Sequence, residues 1–318
     1  MVTFSIITPV YNGEAFIAET VSSVLEAVSA FEFEYLVIDD GSTDSTSTIL
    51  SKYGSRIKYF RQENSGQSVA ISRAISDAVG KYIIIVNADD PLIDSNLFSD
   101  AKEILDSDSK IVATYPDWQI IDEVGNIVEK VIAKEFSIDE LVGRFNCLIG
   151  PGGIMRASAA KTIGGWDSNY KFVPDYDFWL RLSDFGNFQH IPRIQANWRS
   201  HRESISISSR SAEMADERIR VISNYITRHP ALPGYLKKMA LANAQYRAAV
   251  LSYFDKRVNG RSLILKSIKN YPRILLEKDI RVLIYLIMLP LSRHLIRVIS
   301  HKVSIRDIES SIRQNIKA

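Results

Sequence analysis

Apolar and polar positions alternate between two periods over the first ninety residues. "FSIITPV" (4–10), "EYLVIDD" (34–40), "RIKYFRQ" (56–62) and "KYIIIVNADD" (81–90) are short runs rich in β-branched and aromatic residues, which predicts four strands. Between them the apolar residues return every three or four positions. Phe16, Ile17, Val21, Val24, Leu25 and Val28 trace one helical face after the turn signal Asn12-Gly13. "GSTDSTSTILSKYG" (41–54) opens on Ser and Thr, which suit a helix N-terminus, and closes on a glycine. "SVAISRAISDAVG" (68–80) predicts another helix closed by Gly80. Apolar strands interleaved with amphipathic helices predict a parallel sheet covered on both faces.

Sheets of that kind bind ligands beyond the carboxyl ends of their strands. Here those ends read "TPVYN", "IDDGSTD", "QENSGQ" and "NADD". Four polar strand ends in succession exceed what solvated loops require.

After residue 110 the pattern changes. "KIVATYPDWQIID" and "NIVEKVI" flank "EVGN", which predicts a hairpin. "PGGIM" and "IGGWD" are glycine-rich loops around a short helix, and "DYDFWLRLSDFG" (175–186) is a further helix. From about residue 212 the pattern is almost wholly helical. No internal repeat or low-complexity tract interrupts it.

Length and composition allow one large domain or two, since 318 residues at 46% hydrophobic can bury a sizeable core. The net charge of +2 hides an asymmetry. Residues 1–200 carry 17 Lys and Arg against 28 Asp and Glu, a net of −11; residues 201–318 carry 22 against 9, a net of +13. The expected division is therefore an acidic domain over 1–208 and a basic helical region over 209–318 that meets an anionic partner. Cys147 is the only cysteine, so no disulfide forms within the chain, and a reducing compartment is expected. The N-terminus lacks the basic and apolar regions of a signal peptide. The longest apolar run, "VLIYLIMLPL" (282–291), is too short for a membrane span, which needs about 20 apolar residues.

The chemistry begins at Asp89 and Asp90. Two adjacent carboxylates at the end of a buried strand repel unless a cation neutralises them. Mg²⁺ commonly takes one or two protein carboxylates and completes its shell with water and substrate phosphates. Taken alone, the pair before Pro91 also suits a turn or a helix start.

Taken together, "TPVYNG", "VIDDGSTD", "NSGQ", "NADD", "GGWD" and "DYDFWLR" resemble, in this order, the family 2 glycosyltransferases of the GT-A fold. The resemblance covers roughly residues 3–206. It implies an α/β nucleotide-diphospho-sugar transferase fold, with a mostly parallel central sheet and helices on both faces, here followed by a helical C-terminal region. It implies inverting transfer from a nucleotide diphosphate-sugar with Mg²⁺ or Mn²⁺. Thr8, Pro9 and Tyr11 match the nucleotide pocket. Asp40 matches the carboxylate that accepts a hydrogen bond from the base, and Arg73 a basic donor contact. Asp90 matches the direct metal ligand, while Asp89 faces the ribose or the metal shell. Asp175 matches the catalytic base, supported by Asp177 and Arg181. Ser42 and Asp44 either organise their turn or meet the nucleotide.

Several residues have two readings. His201, in "NWRSHRESIS", resembles a family ending and either approaches the metal or is structural. Asp117 and Trp118 stand where the family places donor-sugar contacts. Gly152 and Gly153, with Gly150 and Pro151, suit an acceptor-side loop, because no Lys-Ser/Thr follows as a phosphate loop requires. Trp166 either packs or stacks on a sugar. The first residue of "NADD" is Asn87 where the family often has Asp. "QANWR" reverses the Trp and Arg of the processive-synthase signature, which argues against a membrane-embedded synthase.

The donor is expected to be UDP-, TDP- or GDP-linked and the acceptor a glycan or a lipid-linked glycan, in cell-surface polysaccharide synthesis. The basic helical region suits an anionic membrane surface or a second copy of the chain, and no motif points to nucleic acid. The expected location is the cytoplasm, peripheral at the inner face of the membrane. The rival readings are a nucleotidyltransferase and a non-catalytic sugar-nucleotide-binding or scaffold protein. The first usually needs an N-terminal glycine-rich loop with a basic residue, which "TPVYNGEAF" lacks.

Overall fold

The computed structural model describes residues 2–93, 95–201 and 211–288. The chain forms two compact units. One comprises Met1–Phe136, Leu148–Asn169 and Pro174–Glu203; the other comprises Ser137–Cys147, Tyr170–Val173 and Ser204–Ala318.

The first unit is built on an eight-stranded sheet. Strands β1 (Phe4–Val10), β2 (Phe33–Asp39), β3 (Lys58–Arg61) and β4 (Tyr82–Ile85) run parallel in the order β3-β2-β1-β4. Helices α1 (Ile17–Ala27), α2 (Thr46–Ser51) and α3 (Gln67–Asp77) connect them, and α4 (Asn96–Ser107) follows β4. Phe4, Ile6 and Val10 of β1 pack with Ile17, Val21 and Val24 of α1 and with Leu97, Phe98 and Ala101 of α4. This burial fixes the register, since a slip of one residue would turn the apolar set to the other face. Edge strand β3 is largely exposed and carries Lys58 and Arg61, which discourages pairing with another chain.

The fourth strand ends at Ile85, five residues before its predicted end. Residues 87–90 turn instead, with the Asp90 N–H donating to the Asn87 carbonyl at 3.2 Å. Strand β5 (Ile111–Ile121) and β6 (Ile127–Val131) form the expected hairpin. Two further strands are not marked in the sequence. β7 (Ile154–Arg156) lies antiparallel between β4 and β5 and makes the sheet mixed. β8 (Asn187–Arg199) runs parallel to β5 with shifts of register. Helix α5 (Ala157–Thr162) is the short helix between the glycine loops, and α6 (Pro174–Leu182) follows them.

The second unit consists chiefly of α7 (Ser211–Arg228), α8 (Gly234–Val250), α9 (Gly260–Asn270), α10 (Ile274–Glu277) and α11 (Ile280–Met288). Ala242, Tyr246, Ile264, Ile274 and Leu283 lie at its core. Two segments from earlier in the chain join it. Gly143 comes close enough to α8 that a Cβ there would sit 2.1 Å from the Met239 methyl carbon. The Glu217 carboxylate accepts the N–H groups of Lys171 and Phe172. The two units interleave along the chain, with Ser137–Cys147 and Tyr170–Val173 belonging to the second. Among the described residues, no helix is long and apolar enough to cross a membrane. The end of the 282–291 run and the basic stretch after it lie outside the described residues.

Candidate active site

The carboxyl ends of β1 and β2 are knitted together before any ligand arrives. Asn12 has a left-handed backbone (φ 50°), and its Oδ1 accepts the Thr43 N–H at 2.8 Å. In return the Asn12 N–H donates to Ser42 Oγ, and the Gly13 N–H to Thr46 Oγ1, both at 2.9 Å. Asp44 accepts the N–H groups of Glu14 and Thr46. Ser42 and Asp44 therefore organise this double loop. Thr8 is buried, with its hydroxyl 2.9 Å from that of Tyr35. Pro9 is buried beside it, while Tyr11 is 52% exposed at the strand end.

Asp39 and Asp40 differ in role. Asp39 accepts from the Ser42 N–H and the Tyr59 hydroxyl, both at 2.7 Å. Asp40 holds the "QENSGQ" loop: Oδ1 accepts Gln62 Nε2 and the Ser65 N–H, and Oδ2 accepts the Gly66 N–H, all at 2.8 Å. A carboxylate offers about four acceptor sites, so one remains on Oδ2 for a further donor. Arg73, on the adjacent α3, is exposed and makes no ion pair among the described residues.

The turn after β4 meets the end of β8. Asp90 is 3% exposed; Oδ2 accepts from the Asn87 amide at 2.9 Å and Oδ1 from the Arg199 N–H at 2.8 Å. Burial, with the Asp89 charge beside it, pushes the Asp90 carboxyl well above the usual carboxylate range. Asp89 is half-buried and lies 2.9 Å from His201 Nε2. His201 in turn packs its ring 5.2 Å from Phe16. The structure thus places His201 against Asp89. The rest of that motif, 202–206, lies outside the described residues.

Asp175 lies in the first turn of α6, partly buried, and desolvation raises its carboxyl above the ordinary value. Asp177, two residues further along the helix, is committed elsewhere. It is 1% exposed and pairs with Arg181 Nε at 2.7 Å. The same guanidinium donates to the carbonyls of Ile163 and Gly165, at 2.7 and 2.8 Å. The pair therefore fastens the "IGGWD" loop to α6. Ser72 of α3 donates to the Trp166 carbonyl at 2.8 Å, which anchors the loop's other side. The Trp166 indole N–H is buried and has no hydrogen-bond partner among the described residues.

Other expected sugar contacts lie in packed surroundings. Asp117 is buried and accepts the Ala133 N–H, and His190 Nε2 sits 2.8 Å from the same oxygen. Its carboxylate is thus engaged inside the protein rather than presented on an open face. Trp118 stacks over the glycine loop: a Cβ on Gly150 would lie 2.9 Å from its ring. Gly152 (φ 86°) approaches Pro116 and Ala196 so closely that a Cβ would meet them at 2.8 and 3.0 Å. Gly153 is similarly crowded by Ile149. These glycines permit close packing of the loop on β5 and β8.

Among the described residues no three His, Cys, Asp or Glu side chains form a ready-made metal cage. The chemistry of the acidic turn still fits a hard divalent ion. Mg²⁺ seldom uses an all-protein cage, and Asp90 is a buried carboxylate whose neighbour carries a like charge.

The α/β sheet, with acidic, amide and hydroxyl groups gathered at adjacent strand ends, is of the GT-A type. The fold is shared with the solved structure of Staphylococcus aureus TarS residues 1–349, at a TM-score of 0.60 and 18% identity over 85% of this chain and 89% of that one. It is also shared with a mannosyltransferase of Pyrobaculum calidifontis solved with GDP-Man and Mn²⁺, at 0.53 and 14%, covering 87% and 88%. An uncharacterized glycosyltransferase of Rickettsia typhi is 27% identical over 241 residues, covering 74% of this chain and 72% of that protein. Residues 5–140 match the family model "Glycosyl transferase family 2".

Arg199 belongs to the "NWRSHRESIS" motif, but the sequence assigns it no role; the structure sets it against the turn of both carboxylates. The partners of Asp117, His190 and Ala133, carried no signal at all.

Proposed function

We propose that this glycosyltransferase moves a sugar, with inversion, from a nucleotide diphosphate donor to a glycan or lipid-linked acceptor in cell-surface polysaccharide synthesis. Residues 1–208 serve as the catalytic domain and 209–318 as a basic region that brings it to the inner face of the membrane. The observation that carries this reading is the acidic turn: Asp89 and Asp90 meet at the sheet's carboxyl edge, with His201 on Asp89.

The chain's residues divide the work. Thr8, Pro9 and Tyr11 line the base pocket, and Asp40 uses its remaining acceptor site for the base N–H. Asp89 and Asp90, with His201 beside them, would hold Mg²⁺ or Mn²⁺. When bound, the ion supplies charge neutralisation for the departing diphosphate. The structural neighbour from Pyrobaculum calidifontis, solved with GDP-Man and Mn²⁺, favours a divalent ion in general terms. Arg73 adds positive charge on the donor side.

Asp175 takes the proton. As the acceptor oxygen bonds to the anomeric carbon, its O–H proton passes to the Asp175 carboxylate. The bond from that carbon to the donor phosphate oxygen breaks, and its electron pair leaves with the nucleoside diphosphate. Single in-line displacement inverts the carbon. Desolvation suits Asp175 to this task, because a raised carboxyl is a stronger base near neutrality.

The test is calorimetry with UDP, TDP and GDP, with Mn²⁺ and in EDTA, followed by turnover of the matching nucleotide-sugars. The preferred nucleotide should bind markedly tighter with Mn²⁺, and Asp90→Ala should abolish that difference. Equal affinity in EDTA would refute the cation assignment; no turnover of any donor would refute the transferase reading.

A further inference from the structure

Arg199 is the largest fully buried side chain among the described residues, at 1% exposure, and its contacts lie on the acidic turn and its neighbours. Its backbone N–H donates to Asp90 Oδ1 at 2.8 Å. Nε donates to the Asp89 carbonyl at 3.0 Å. Nη1 donates to the carbonyls of Asp122 and Glu123, in the turn between β5 and β6, at 3.2 and 3.1 Å. Nη2 meets Glu19 Oε2 of α1 at 2.6 Å. The guanidinium lies 4.8 Å from the Phe16 ring centroid.

We propose that Arg199, anchored by Glu19, is a positioning residue that sets the Asp89–Asp90 turn for its divalent cation. The inference rests on the cation reading above. Adjacent carboxylates repel, and residues 87–90 lie past the last ladder pair of β4. The next residues are tied to β8, where Asn197 Nδ2 donates to the Pro91 carbonyl and Leu92 bridges Ala196. Arg199 supplies the restraint from both sides, fixing the Asp90 side chain with its main chain and the Asp89 peptide with its side chain. The planar fork is essential to this, because it reaches a carboxylate and three carbonyls in different directions. A lysine carries its donors on one atom and cannot span them. The guanidinium also places a positive charge behind the pair, so the turn keeps its shape before the cation arrives.

Outer partners of metal ligands typically change metal affinity by about 10–100-fold when removed. The experiment uses the full chain with Arg199→Lys and Glu19→Ala. Mn²⁺ affinity is measured from free-ion spin resonance, UDP affinity in EDTA by calorimetry, and folding by circular dichroism. Arg199→Lys should weaken Mn²⁺ by about 10–100-fold and leave UDP affinity in EDTA unchanged. Glu19→Ala, whose carboxylate is 55% exposed, should weaken Mn²⁺ in the same direction but less. A folded Arg199→Lys that binds Mn²⁺ within twofold of wild type overturns the inference. So does an equal loss of Mn²⁺ and metal-free UDP affinity, which marks a general structural role. If Arg199→Lys does not fold, unchanged Mn²⁺ affinity in Glu19→Ala overturns it. Wild-type protein that binds no Mn²⁺ overturns the cation reading itself.

Discussion

Replacing Asp177 by alanine should cost stability rather than chemistry, although Asp177 lies two residues from the proposed base. The side chains of Asp177 and Arg181 are 2% and 14% exposed and meet at 2.7 Å. Alanine would leave the Arg181 charge buried without its counter-ion. Breaking a buried pair on one side typically costs about 3–5 kcal/mol. Solvent screening takes little from that figure, since neither group is much exposed. A domain of about 150–250 residues loses about 2–4 °C of Tm per kcal/mol, so the expected fall is about 6–20 °C. Arg181 would keep its bonds to Ile163 and Gly165, so the glycine loop should loosen without detaching. Thermal and urea unfolding of both proteins measure the loss, and donor turnover at a temperature where both are folded measures the chemistry. A Tm within 2 °C of wild type, with turnover lost, would show that Asp177 acts on the substrate and would displace Asp175 as base.

Two other expectations are as direct. Asp175→Asn should leave donor affinity intact and lower turnover by about 10²–10⁴-fold, the usual contribution of a general base. In the wild type, Asp175 works only when deprotonated and its carboxyl is raised by desolvation. The acid limb of kcat/KM should therefore sit above the ordinary carboxylate range and be lost in Asp175→Asn; an unchanged pH profile would refute the assignment. The helical region exposes Leu276 (88%), Ile280 (48%) and Ile284 (42%) near exposed Arg273 and Arg281. Basic residues close to an anionic surface contribute about 1 kcal/mol each, so the full chain should co-sediment with anionic vesicles, less in high salt. Failure to bind at low salt would favour a protein partner for this face.

The sequence by itself determined the half of the sheet that is built from local repetition. β1, β2 and the helices between them follow from apolar periodicity, because each element buries its face against its immediate neighbours in the chain. It also determined which edge gathers the polar groups, since parallel strands place their carboxyl ends on one side. The family motifs offered Asp40, Asp90 and Asp175 as candidates. What only the tertiary structure decided is set by partners distant in the chain. β7 is three residues long and is a strand because β4 and β5 flank it. β8 contains Pro192 and several polar residues, and owes its extended form to β5. Asp117 was drawn into a buried contact with His190, 73 residues away. Arg199 reaches Glu19 across 180 residues. Periodicity reports the face an element turns inward, but it cannot report which group waits there. A buried charge is settled by its partner, and that partner exists only once the chain has closed.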